Sequence, residues 1–124
     1  MNNSVGSPSF KGVKYYNYNN DVVNTWFNYR MKQDRSSISQ IERIIQKQKD
    51  NPHHIILDYY AKGDSNNVVE KATVDGKDFV RFKFESVRHM LKRAANYADS
   101  LRKTPAQPLE NENRLNDFVV NKAV

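Results

Sequence analysis

The sequence predicts an α+β domain: a small antiparallel sheet of about three strands, including an Asp-Gly hairpin, packed by two to three helices and flanked by extended N- and C-terminal segments. Three observations carry this expectation. Asp75-Gly76 separates two runs rich in β-branched and aromatic residues, 68–74 and 77–84, and a type I′ hairpin turn favours that dipeptide because both central positions need positive φ. The segment His54-Ile55-Ile56-Leu57-Asp58-Tyr59-Tyr60 is dense in strand formers. From Glu85 to about Lys103, Val87, Met90, Leu91, Ala94, Tyr97, Ala98 and Leu101 recur at helical spacing, opposite Arg88, Lys92, Asn96, Asp99 and Arg102.

The elements follow in order. Residues 1–12 carry Asn, Ser, Gly and Pro and are expected to form a mobile arm. Val13 to Tyr18 is a short candidate strand. Asn20-Asp21 caps a candidate helix to about Lys32, with Val22, Val23, Trp26, Phe27 and Met31 on one stripe. A second helix is expected from about Ile38 to Lys49, started by a Ser39/Glu42 capping box and ended by Asn51-Pro52. Ile38, Ile41, Ile44 and Ile45 form its apolar stripe. The strand at 54–60, a polar loop at 62–67, the hairpin and the long amphipathic helix follow. Two prolines in Thr104-Pro105-Ala106-Gln107-Pro108 read as a linker. Beyond it the tail is polar until Leu115, then carries the apolar Phe118-Val119-Val120. The expected organisation is an arm at 1–12, one α+β domain at 13–103, and a linker and tail at 104–124.

Within the hairpin, a two-residue turn sets Val74 opposite Lys77, Ala72 opposite Phe79, Glu70 opposite Arg81 and Val68 opposite Lys83. Val80, Phe82 and Phe84 share one face, which is expected to look into the core. Lys77, Phe79, Arg81 and Lys83 share the other and are expected to look outward. An exposed ring among cations suits single-stranded nucleic acid: bases stack on the ring while cations follow the backbone. Arg88, Lys92 and Arg93 extend the cationic surface along the helix, and Arg43, Lys47 and Lys49 add to it if both helices share one side of the sheet. Asp99 is expected to pair with Lys103 four residues on. Gly76, Phe79, Val80 and Phe82 agree with the central strand of the RNA-recognition motif. Asp75, Lys77 and Asp78 depart from it and the element order does not supply that fold's first strand, so no family is assigned.

Composition narrows the function classes. Twenty Lys and Arg against fourteen Asp and Glu give a net charge of +6, which favours polyanions through counterion release. With no cysteine, disulfides, thiolate zinc sites and cysteine nucleophiles are excluded. His53-His54 and His89 are too few and too scattered for a zinc site, because neighbours on an extended chain point to opposite faces. Asp58 with Asp75-Gly76-Lys77 faintly suggests the carboxylates and lysine of a metal-dependent nuclease, but the turn accounts for the latter residues. No phosphate loop, nucleophile elbow or dinucleotide fingerprint is present. The chain therefore reads as a non-enzymatic binding protein with no cofactor and no metal.

No apolar run reaches the length of a membrane span, and Met1-Asn2-Asn3-Ser4 lacks the features of a signal peptide, so a cytoplasmic location is expected. Fifteen Asn among plentiful Lys, Tyr and Ile fit an A+T-rich genome, such as a low-G+C bacterium or its phage. The leading expectation is a single-stranded DNA- or RNA-binding accessory protein using Lys77, Phe79, Arg81, Lys83, Arg88, Lys92 and Arg93. The alternative is a protein-interaction or assembly component, or a homo-oligomer, using the aromatic segment Tyr15 to Tyr29 and the tail.

Overall fold

In the computed structural model, which describes residues 11–16, 35–60, 68–107 and 114–119, the Asp75-Gly76 turn forms as its sequence predicts. The two central φ values are 47° and 81°, the positive pair that a type I′ turn requires. Val74 pairs with Lys77 and Ala72 with Phe79, the expected register. The ladder is shorter than the sequence suggests. It ends at Lys71 opposite Val80, so the expected Glu70–Arg81 and Val68–Lys83 pairs do not form.

The elements are β1 (Val13–Tyr16), α1 (Arg35–Gln48), β2 (Ile55–Tyr60), β3 (Val68–Val74), β4 (Lys77–Val80), α2 (Val87–Ser100) and β5 (Leu115–Asp117). They build one five-stranded sheet in the order β4-β3-β2-β1-β5. The α+β class holds, but the sheet is mixed and not an antiparallel set of about three strands. β1 and β2 run parallel, joined by a connection that contains α1, while the other neighbours are antiparallel. The extra strands are short and pair across long stretches of sequence, which local periodicity does not reveal. The candidate helix at 20–32, the aromatics from Tyr18 to Tyr29 and the loop at 62–67 lie outside the described residues.

Both helices pack on the face that carries Val13, Ile55, Leu57, Ala72 and Val74. Helix α1 contributes Ile38 and Ile41, with Ile44 and Ile45 partly covered; α2 contributes Val87, Met90, Leu91, Ala94, Ala95 and Ala98. This reverses the expected hairpin faces. Ala72, Val74 and Phe79 point to the helices, and Val80 lies on the other face, 54% exposed. Helix α1 begins at Arg35, so Ser39 lies inside the helix and forms no capping box there. Ser86 caps α2: its Oγ accepts the His89 N–H at 3.0 Å. Residues 115–117 join the sheet as β5 beside β1, the Phe118 N–H donates to Val13 O at 2.9 Å, and the Phe118 ring is buried edge-on against Tyr15. Lys14 and Asp117, opposite one another in β1 and β5, form an ion pair. Gly12 brings the chain against the end of α1. At its φ of 85° a Cβ would stand 3.3 Å from Gln48 O and the Lys49 Cα, so glycine is needed there on two counts.

A buried polar seam closes one end of the molecule. The Gln48 amide donates to Asp99 at 2.9 Å and accepts from Asn51 Nδ2 at 2.9 Å; Asn51 Oδ1 accepts the His53 N–H at 3.0 Å. The fully buried His53 ring lies between Asp75 Oδ2, 2.6 Å from Nδ1, and the Thr104 carbonyl, 2.7 Å from Nε2. Arg102 donates to Asp99, Asp50 and Lys47 O, tying the end of α2 to the end of α1. Asp99 therefore pairs with Arg102, one residue short of the expected Lys103. Asp75 does more than form the turn: its carboxylate fastens the hairpin to the segment before β2 and the segment after α2. Asp75→Gly retains a sequence that accepts positive φ yet leaves His53 Nδ1 unpaired in the interior. It should lower stability by about 1–3 kcal/mol, read by urea denaturation.

Candidate nucleic-acid interface

After Val80 the chain leaves the sheet and reverses through Phe82-Lys83-Phe84-Glu85, closed by the Glu85 N–H donating to Phe82 O at 2.9 Å. The Glu85 carboxylate holds this turn from inside. Oε1 accepts the Phe82 N–H at 2.9 Å. Arg93 binds both carboxylate oxygens with Nε and Nη2, each at 2.7 Å, and His89 Nδ1 lies 2.5 Å from Oε2. The Arg93 fork also donates to Val80 O at 2.8 Å, and Arg81 donates to the Glu85 carbonyl at 3.1 Å. The Glu85 side chain is only 5% exposed. The Arg93 hydrogen bonds outweigh burial, and with the Phe82 N–H and His89 they hold its pKa down from 4.5 to about 2.

The phenylalanines that this turn carries face solvent. Phe82 is 61% exposed and Phe84 is 93% exposed. Phe84 has φ of 68°, a left-handed conformation that bulky side chains rarely adopt. The Arg93 guanidinium lies 4.1 Å from the Phe82 ring centre, and Lys83 Nζ lies 5.4 Å from that of Phe84. A second aromatic pair sits beside the turn: Phe79 and Tyr97 are 5.6 Å apart, with Lys77 Nζ 4.7 Å above Tyr97 and 5.5 Å from Phe79.

The predicted residues thus divide. Lys77, Phe79 and Arg93 come together through Tyr97 and Phe82, and Lys83 lies on the turn itself. Phe79, expected as the free stacking ring, is half-buried between sheet and α2. Arg93 and Arg81 are committed to Glu85. Lys92 is exposed; Arg88 is half-buried, with its Nε enclosed and unpaired. Residues 88 and 92 lie one turn apart on a strip of α2 different from that of Arg93 and Tyr97. Arg43 and Lys47 are exposed on α1 and Lys49 just beyond its end; α1 shares its side of the sheet with α2. Sequence reasoning missed Phe82, Phe84, Tyr97 and Glu85 as parts of the surface. One signal was available: Ser86 as an N-cap leaves almost no chain between the expected strand end at Phe84 and the helix, so a reversal had to shorten the strand.

The seam around His53 has the outline of a catalytic triad, with Thr104 Oγ1 3.3 Å from Nε2. The nearer contact of Nε2 is the Thr104 carbonyl, and Thr104 Oγ1 donates to Leu101 O at 2.7 Å, an arrangement that ties the segment after α2 to the seam. Among the described residues no cluster of three His, Asp or Glu side chains is placed to hold a metal ion, and no helix is long and apolar enough to cross a membrane. A cleft of about 400 Å³ lies between α1 and β5, lined by Lys11, Glu42, Ile45, Lys49 and Phe118 among others. Comparison with protein-family models, curated proteins and solved structures returns no match in any of the three.

Because the folded Glu85 titrates near 2 and an unfolded one near 4.5, its contribution to stability is complete above about pH 5 and is lost as pH falls toward 2. Asp99 and Asp50 act in the same direction. For Asp99, burial is outweighed by hydrogen bonds from Arg102 and Gln48; Asp50 is lowered by its hydrogen bond from Arg102. Urea midpoints of wild type and Glu85→Gln should therefore differ at neutral pH and converge by about pH 2.

Proposed function

We propose that this chain is a non-enzymatic binding protein for single-stranded nucleic acid, DNA or RNA, centred on the Phe82–Glu85 turn. The exposure of Phe84 in a left-handed backbone conformation carries the reading. A bulky apolar residue held at positive φ and turned almost wholly to water is unfavourable on two counts, and such strain concentrates where a ligand is met. Both rings offer stacking surface, Phe84 more freely than Phe82, whose one face Arg93 covers. Lys83 stands beside Phe84 and Lys77 over the neighbouring Tyr97 and Phe79 to meet phosphates, with Arg88 and Lys92 on another strip of α2. Phe79, Arg81 and Arg93 support the surface from beneath. The net charge of +6 favours a polyanion.

Val80, Phe82 and Phe84 are also three exposed apolar side chains within five residues of the chain, which favours a protein partner as a second reading. Salt dependence separates the two. On a single strand each neutralised phosphate contributes about −0.7 to the slope of log K against log salt, so Lys77 and Lys83 alone give about −1.4. Fluorescence anisotropy with a labelled oligonucleotide should return a slope of at least that size, reduced by about 0.7 in Lys83→Ala. Phe84→Ala should weaken binding by about 1–3 kcal/mol, whereas Phe79→Ala should act mainly on stability. Absence of oligonucleotide binding at low salt contradicts the reading.

A further inference from the structure

We infer that Glu85, an acidic residue in a cationic surface, is the positioning residue for the stacking rings, so that removing its negative charge weakens the binding of a polyanion. The inference rests on the single-strand reading above and concerns how the same surface is held. Long-range electrostatics gives the opposite sign: losing one negative charge raises the net charge and should tighten binding.

The geometry favours positioning. Each feature that displays the rings passes through the Glu85 residue. Its carboxylate takes the Phe82 N–H, which the hairpin register would leave pointing away from β3 without a partner. Its own N–H closes the turn on Phe82 O, with Phe84 at the positive-φ third position of the turn. Its two oxygens hold the Arg93 fork, and through it Arg93 reaches both Val80 O, where β4 stops, and the open face of Phe82. Its carbonyl occupies Arg81. A bidentate arginine–carboxylate pair fixes direction as well as distance, which suits a part that has to aim its neighbours. The consequence for the ligand is specific. Arg93 has its Nε and Nη2 on Glu85 and its plane on Phe82, so it serves as a prop for the ring, and the phosphates are left to Lys83 and Lys77. Without the carboxylate, residues 81–84 lose the contact that sets the turn, and Phe84 loses the constraint that keeps it apart from the apolar Val80 and Phe82.

The test measures affinity for labelled oligo-dT and oligo-U with wild type, Glu85→Gln, Glu85→Ala, Phe84→Ala and the Glu85→Gln/Phe84→Ala double variant, each shown to be folded by circular dichroism at the assay temperature. Glu85→Gln should weaken binding about tenfold or more despite its higher net charge. Phe84→Ala should then cost less than about twofold in the Glu85→Gln background while retaining its full cost in the wild type, because an unpositioned ring has little left to lose. General destabilisation would leave the Phe84 effect equal in both backgrounds. Equal or tighter binding by Glu85→Gln, or equal Phe84 effects, overturns the inference. Should wild type bind neither oligonucleotide, the single-strand reading fails by itself. Hydrogen-exchange protection of the Phe82 amide then decides the positioning role: lost in Glu85→Gln and kept in Phe84→Ala if Glu85 sets the turn, unchanged in both if it does not. Where Glu85→Ala does not fold, Glu85→Gln carries every comparison.

Discussion

Phe82 N–H, both donors of the Arg93 fork and His89 Nδ1 converge on the Glu85 carboxylate. The carboxylate is charged, enclosed and oriented by arginine, and it satisfies a Phe82 N–H that the register of the hairpin points away from β3. The chain turns away from β3 after Val80. That turn presents two phenylalanines to water, and leaving such a ring exposed forgoes about 1.5–3 kcal/mol of burial each. A surface kept at that expense, with cations at its margin and one ring in a strained conformation, is better explained by a ligand than by folding alone.

The hairpin is fastened at both ends. At its tip, Asp75 meets the His53 ring, whose other nitrogen faces the Thr104 carbonyl after α2. At its base, Glu85 and Arg93 join β4 to the middle of α2. Between the two fastenings Phe79 packs on Tyr97. Two polar anchors with an aromatic contact between them hold β4, an edge strand, against the helix, and the Phe82–Phe84 turn projects from a rigid base. The turn residue Asp75 and the turn residue Glu85 thus share a design: each is a carboxylate that closes a local reversal and also reaches a distant element.

What could be read from the sequence was local. The Asp75-Gly76 turn, the register beside it, the β2 strand and the apolar stripe of α2 all follow from neighbouring residues. The pairings of Val13 with Ile55 and of Tyr16 with Leu115 are non-local contacts of short strands, so their place in the sheet was not legible. The hairpin faces were misread for a physical reason. Val80, Phe82 and Phe84 alternate like a core-facing strand and outweigh Ala72 on any hydrophobicity count, yet Ala72 and Val74 are what leave room for α2 to approach. The cations were legible in the sequence, but the partners of Arg81 and Arg93 were not. Arg93 and Arg81 looked like phosphate ligands because their partner, Glu85, was read only as the start of a helix.

The central claim is that the turn from Phe82 to Glu85 is the contact surface for single-stranded nucleic acid. The most direct measurement is an amide and aromatic NMR titration of the whole protein with unlabelled oligo-dT. Shifts should concentrate on Val80 to Glu85, on Lys77 and on the rings of Phe82 and Phe84, with little change at His53 and Asp75. Shifts confined to Arg43, Lys47 and Lys49 on and just after α1, or to the cleft between α1 and β5, would contradict the account, as would a spectrum that the oligonucleotide leaves unchanged.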